Sequence, residues 1–209
     1  MKAQFAALTI LAVLAFGAVA EEAKPVDTTP KLATGLLMKQ GDKLVFAPCR
    51  DRSYAVVDDV SSGAAVTGAL KSVGLEAGKK LYVELFGVLE GIALKASGLN
   101  FARADGRCQP SGGPDEAWRA SGEPGWTLAA GGEHLVVKRP GKPDAKFAFG
   151  AVKTEGGVTT YETSREANQL ALRIERGVCR DKSAADAVFG WSATVNVNGE
   201  SLKGCAWQR

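Results

Sequence analysis

The stretch CRDRS at residues 49–53 recurs almost unchanged as CRDKS at residues 179–183. Each copy follows an apolar run that is typical of a β-strand, KLVFAP before the first and LALRIERGV before the second. A second cysteine then closes each part of the chain, Cys108 after the first copy and Cys205 after the second. The near-repeat therefore predicts two β-rich halves of similar design, each with its own pair of cysteines.

The four cysteines either carry reactive thiols or form disulfides. A reactive thiolate needs an activating base, and the chain's only histidine, His134, cannot serve two separate halves. Arg50 and Arg180 could lower a thiol pKa, but an oxidising compartment favours pairing. Four cysteines allow three connectivities, and the layout of the halves favours pairing within each half. The predicted disulfides are Cys49–Cys108 and Cys179–Cys205.

The polar residues of the repeat have a local explanation. Asp51 with Ser53, and Asp181 with Ser183, have the spacing of Asx and Ser turns, in which side chains bind backbone groups as the chain leaves a strand. We therefore interpret the two segments as turns beside disulfides and not as acid–base chemistry.

The N-terminal residues 1–20 have the three parts of a secretory signal peptide. Lys2 precedes a long apolar run, and the run ends in the small residues Ala18-Val19-Ala20. No cysteine lies near this cleavage site, so lipid attachment there is not expected. The polar, proline-bearing segment 21–31 is predicted to be a disordered leader. The expected product is a protein of the periplasm with no membrane insertion after cleavage.

The segment QPSGGPD at 109–115 has the composition of a linker and separates residues 32–108 from residues 116–209. The first part shows five strand-like runs and a short helical pattern at Val66, Leu70 and Val73, with Ser61 or Ser62 as a cap. This is the inventory of an OB-type, partly open five-stranded barrel.

The second part, 116–209, alternates apolar and polar residues in seven or eight short runs. Asn198-Gly199 is a strong signal for a type I′ hairpin turn, and one helical turn is predicted within 181–190. The fold class is therefore mainly β: an OB-like barrel followed by a second small antiparallel barrel or sandwich.

Charge and residue chemistry argue against several classes of function. Removal of Lys2 with the signal peptide lowers the formal charge from +3 to +2, and no basic cluster indicates nucleic-acid binding. Outside the predicted disulfides, soft metal ligands are reduced to His134 and Met38, so no metal or other cofactor is expected. No catalytic triad or phosphate-binding loop is present, and we expect no catalytic residue.

One candidate ligand groove remains. Glu123 and Asp115 lie close in sequence to Trp118 and Trp126, a combination that could line a sugar-binding groove. The alternative is that these carboxylates, which flank a linker, are simply solvated.

Two segments resemble known envelope proteins. Residues 34–108, with GDKLVFAPC and GKKLYVELFGVLEG, resemble the C-terminal OB domain of NlpE-type envelope lipoproteins. Residues 117–207, with LVVKRPGKPDAKFAF, LALRIERGVCRD and ATVNVNGESLKGCAW, resemble the C-terminal domain of a group of bacterial envelope proteins in which both domains occur in this order. The group's Gly-Asn-Glu-Pro-Phe-Trp segment is SGEPGW here, at 121–126. The resemblance implies no catalytic residue.

Composition and resemblance together predict a secreted, non-enzymatic periplasmic protein. We expect it to act in envelope homeostasis or stress sensing through a protein partner or a small ligand. The main alternative is an inhibitor or binder of a cell-wall enzyme or glycan. A hydrolase that uses Glu123 with a second carboxylate is the weakest alternative, because no paired spacing supports it.

Overall fold

The computed structural model describes residues 28–75, 79–108, 115–165 and 168–209. The predicted signal peptide at 1–20 lies outside the described residues, as do residues 21–27 of the leader and 109–114 of the linker. Within the described part of the chain, no helix is long and apolar enough to cross a membrane.

The first half is a five-stranded OB-like barrel, as predicted, but its ring is closed and not partly open. Its strands are β1 (Lys31–Gln40), β2 (Lys43–Pro48), β3 (Ala55–Asp59), β4 (Lys80–Glu90) and β5 (Ala93–Arg103). The ring runs β1-β2-β3-β5-β4 and returns to β1, with every pair antiparallel except β3–β5. This closed ring with one parallel pair is the OB-type arrangement.

A short helix, α1 (Ala65–Lys71), connects β3 to β4 and packs against β3 and β5. The N-cap position of α1 is Ala64, but the Oγ atom of Ser61 accepts a hydrogen bond from the backbone N–H of Val66 in the first turn at 3.1 Å. Asp59 adds a second cap, which the sequence did not predict, by accepting from the N–H of Thr67 at 2.7 Å. The predicted apolar face of the helix is buried in the barrel core.

The second half is one curved antiparallel sheet of nine strands. They are β6 (Trp118–Gly122), β7 (Trp126–Gly131), β8 (His134–Lys138), β9 (Ala145–Ala148), β10 (Lys153–Glu155), β11 (Val158–Arg165), β12 (Asn168–Cys179), β13 (Ala187–Val197) and β14 (Glu200–Gln208). Their order is β10-β11-β12-β13-β14-β6-β7-β8-β9. The sheet curls until β11 meets β9, where the Tyr161 hydroxyl donates to the carbonyl of Ala148 at 2.9 Å.

Two local predictions for this half are confirmed. Asn198 and Gly199 form the turn between β13 and β14, and both have positive φ, 54° and 82°, as a type I′ turn requires. A single 3₁₀ turn spans Lys182–Ala184, inside the segment where one helical turn was predicted.

Strand pairing makes the sheet continuous between the two halves, which the sequence did not predict. Strand β5 of the barrel pairs with β13, so that Phe101 lies opposite Phe189 and Ala102 opposite Val188. A shared apolar cluster lies at this junction and contains Tyr82, Phe101, Ala187, Phe189 and Cys205. The halves therefore pack as one body across a buried interface.

The structure contains two disulfides, Cys49–Cys108 and Cys179–Cys205, with Cα–Cα distances of 5.6 and 5.5 Å. This is the connectivity that the layout of the halves favoured, and no cysteine is free. Two disulfides are compatible with a location outside the cytoplasm, where thiols are not kept reduced.

Candidate functional site

The twin CRD segments form the predicted turns. Asp51 Oδ1 accepts from the backbone N–H of Ser53 at 2.7 Å and from its hydroxyl. Asp181 Oδ1 accepts the same two hydrogen bonds from Ser183, at 2.9 and 2.7 Å. The bonds from the Ser53 hydroxyl and N–H lower the pKa of Asp51. Both aspartates therefore support the backbone beside a disulfide.

The two tryptophans of the predicted sugar groove are core residues. Trp118 is 6% exposed and packs edge-on against Trp191, with ring centroids 5.1 Å apart. Trp126 is fully buried, and its indole N–H donates to the carbonyl of Lys203 at 3.2 Å. Glu123 lies exposed in the turn between β6 and β7. Both indoles belong to the buried apolar cluster of the second half, so they do not form an open groove with this carboxylate.

Metal-ligating side chains do not converge in the described part of the chain. Within residues 28–75, 79–108, 115–165 and 168–209, no three His, Cys, Asp or Glu side chains are placed to hold a metal ion. His134 is exposed at the start of β8.

A pocket of about 320 Å³ opens between the two halves, beside the Cys49–Cys108 disulfide. Leu32 and Thr34 of β1 form one wall, and Trp207 and the C-terminal end of β14 form the other. Tyr82 and Glu84 of β4 lie at its buried side. We call this cavity the junction pocket, since both halves contribute to it.

Glu84 is the most unusual group of the junction pocket, because it is an ionisable residue that is only 5% exposed. The Tyr82 hydroxyl donates to Glu84 Oε1 at 2.7 Å, and Asn100 Nδ2 donates to Glu84 Oε2 at 2.6 Å. Burial raises the pKa of Glu84 by more than these two hydrogen bonds lower it. The pKa of Tyr82 is also raised, first by burial and then by its bond to Glu84. The pair is held in a desolvated site.

Asn100 connects this carboxylate to the second half. Its Nδ2 also donates to the carbonyl of Gln208 at 2.5 Å, and its Oδ1 accepts from the Gln208 N–H at 2.8 Å and from the Trp191 indole at 3.1 Å. All four hydrogen-bonding positions of the amide are therefore used. The register of β5 against β4 shifts at this residue, and such bulges redirect side chains next to functional sites.

Two arginines, Arg50 and Arg209, line the junction pocket. Arg50 lines it and is exposed, and the charges of Arg209 and Arg103 act on Glu84 to lower its pKa, in part offsetting the effect of burial. Each oxygen of Glu84 keeps acceptor capacity beyond its one hydrogen bond. The pocket can therefore accept a hydroxyl or ammonium donor at Glu84 and a negatively charged group at Arg50.

Sequence patterns did not single out this site. Tyr82, Glu84 and Phe86 alternate along the apolar strand KLYVELFGVLE, which places them on one face of β4. An acidic residue between two aromatic residues on such a face is a usable signal for a buried polar group. Its partners Asn100, Trp191 and Gln208 lie far away in sequence, so no local pattern joins them.

Comparison with known proteins gives no match: the family models, curated proteins and solved structures searched show no significant similarity to the chain. The OB-like barrel is therefore assigned from its strand order. A fold of this type supports many unrelated functions, and the function has to be inferred from the site.

Replacement of Glu84 by glutamine is expected to remove a pH dependence of stability. Because the pKa of Glu84 is raised on folding, the folded protein holds this proton more tightly than the unfolded chain. The resulting stabilisation is complete below the ordinary glutamate pKa of 4.5 and is lost as the pH rises through the folded pKa. Urea unfolding from pH 4 to 8 measures the free energy of unfolding of both proteins. The difference between wild type and Glu84→Gln should change across this pH range.

Glu90→Gln is the matched control, since Glu90 is an exposed glutamate of the same strand. Parallel stability curves for wild type and Glu84→Gln over the whole pH range would contradict a buried carboxylate with a raised pKa.

Proposed function

We propose that the protein is a periplasmic, non-enzymatic binding protein that acts in envelope homeostasis or stress sensing. The signal-peptide pattern of residues 1–20 supports export, and two disulfides suit an oxidising compartment. The resemblance of both halves to bacterial envelope proteins supports the same compartment.

The binding site in this proposal is the junction pocket, and its ligand is a small polar molecule. The observation that carries this step is Glu84, a buried carboxylate that lines an open pocket between two packed halves. Burial of a charge is unfavourable unless other interactions offset it, and buried ionisable groups in clefts are concentrated at functional sites. Pockets between structural units are also common ligand sites.

Ligand binding there would act on both halves at once. The walls come from β1 and β4 of the barrel and from β14 of the second half. A ligand that bridges these strands stabilises their packing by mass action, because it binds only the assembled form. Such coupling is a physical means by which a small molecule changes the surface that a partner protein contacts.

The test is a thermal-shift screen of the exported protein, followed by calorimetry. The panel consists of amino acids, dipeptides, glucose and N-acetylglucosamine. We expect at least one compound to raise the melting temperature of wild type and of Glu90→Gln. The same compound should bind Glu84→Gln at least about tenfold more weakly, since a lost hydrogen bond to a charged group is worth about 1.5–3 kcal/mol.

Undiminished binding to Glu84→Gln would place the site elsewhere. Crosslinking in the periplasm, with mass spectrometry of the products, distinguishes the proposed ligand-binding role from the alternative role as an inhibitor of a cell-wall enzyme. Enrichment of a cell-wall enzyme without any small ligand would favour the inhibitor alternative over the proposed one.

A further inference from the structure

A second crevice lies between the halves and shares no residue with the junction pocket. It has a volume of about 180 Å³ and lies between α1 with its preceding turn, β5, and the strands β12 and β13. Its lining includes Ser61, Val66, Leu99, Arg176, Val178 and Gly190. We call it the Arg176 crevice.

The guanidinium of Arg176 lies over two aromatic rings at the crevice. Its Cζ atom lies 4.8 Å from the ring centroid of Phe86 and 4.6 Å from that of Trp191. Guanidinium groups stack on aromatic faces through their plane, which leaves the N–H groups at the edge of the plane free to donate. The register of β12 against β13 shifts immediately after Arg176, so a local irregularity of the strand sets the direction of this side chain.

Arg176 differs from three other arginines of the second half in having no acidic partner. Arg119 pairs with Glu116, Arg139 with Glu200 and Arg173 with Glu175. Among the residues that the structure describes, no carboxylate lies within 4.0 Å of the Arg176 guanidinium, and its side chain makes no hydrogen bond. Arg176 is an exposed residue as a whole, and partial burial of its guanidinium against the two rings lowers its pKa.

The rest of the crevice is mainly apolar and is kept open by glycines. Val66 and Leu99 are buried at its base, and Val178 is 53% exposed at its edge. A Cβ atom at Gly98 would lie 2.4 Å from Arg176 Nη1, so any other residue there would displace the guanidinium. A small apolar space therefore lies directly beside a solvent-accessible cation that has no acidic partner among the described residues.

We propose that the Arg176 crevice binds a small monocarboxylate with a short apolar chain. The carboxylate accepts two parallel hydrogen bonds from the free edge of the guanidinium, the geometry that arginine and carboxylate prefer. The chain packs against Leu99, Val66 and Val178. A monoanion balances the single cation of the crevice, whereas a dianionic phosphate would leave excess negative charge beside an apolar wall. This site is independent of the junction pocket and of its proposed ligand.

The test uses the full exported protein and sodium hexanoate as the probe. We expect saturable shifts of the Gly98 and Gly177 amides and of the Trp191 indole in ¹H–¹⁵N spectra. Hexan-1-ol, which lacks the charge, and hexylammonium, which reverses it, should bind at least tenfold more weakly, and acetate should bind more weakly because it lacks the chain. Arg176→Met should weaken hexanoate binding at least tenfold.

Arg173→Met is the matched control, since Arg173 is an exposed arginine of the same strand with its own acidic partner, and it should leave hexanoate binding unchanged. Arg176→Lys keeps the charge without the planar fork and should also bind hexanoate several-fold more weakly. If Arg176→Met does not fold, the Arg176→Lys variant and the series of ligands on wild type still test the proposal. Non-saturable hexanoate shifts, or equal binding of hexanoate and hexan-1-ol to wild type, would overturn the proposal and leave Arg176 as a packing contact.

Discussion

Serine at both Cys49 and Cys108 is expected to lower the free energy of unfolding by about 4 kcal/mol. The two cysteines are 59 residues apart in sequence, and a cross-link that closes so long a loop restricts the unfolded chain strongly. Cys49 is only partly buried and Cys108 is exposed, so serine fits at both positions and the loss reports the cross-link itself. Urea unfolding of the oxidised wild type and of the double variant measures the difference.

The second disulfide provides the comparison. Cys179 and Cys205 are 26 residues apart, for which loop closure alone predicts about 3.5 kcal/mol. Cys205 is buried, so serine there adds the penalty of a buried hydroxyl. A loss below about 1 kcal/mol for the Cys49/Cys108 variant would show that contacts within the barrel, and not the cross-link, maintain this part of the fold.

Replacement of Gly190 by alanine is expected to lower the free energy of unfolding by about 3 kcal/mol, because it disturbs the pairing of the two halves. A Cβ atom at this position would lie 1.8 Å from the carbonyl oxygen of Leu99, which is a backbone atom. The clash cannot be relieved by a change of rotamer, so the paired strands β5 and β13 have to separate locally. Urea unfolding measures the loss, and the fluorescence of Trp191, next along β13, should report the altered packing.

Gly177→Ala is the control for the Gly190 variant. Gly177 lies on the neighbouring strand β12, and a Cβ atom added there meets no heavy atom within 4 Å. Its effect should remain within about 0.5 kcal/mol. A Gly190→Ala protein as stable as Gly177→Ala would mean that β5 and β13 do not approach each other as closely as the structure shows.

The sequence by itself determined the local features of this protein. The Asp-x-Ser turns at Asp51 and Asp181 form between residues two apart, and the Asn198-Gly199 turn follows from the backbone freedom of those two residues. The five runs and the short helix of the first half also indicated an OB-like barrel, because strand period and helix period are properties of short segments. Each of these features depends on neighbours along the chain.

The tertiary structure alone decided how the halves meet and where the pockets lie. Asn100 bonds to Trp191 and Gln208, and β5 pairs with β13, across separations for which no periodicity exists. The predicted groove at Trp118 and Trp126 was wrong for the same reason. The two tryptophans are close to Glu123 in sequence, but the burial of apolar area on folding places both indoles in the core. Long-range packing is selected by the total surface removed from water, which no short stretch of sequence specifies.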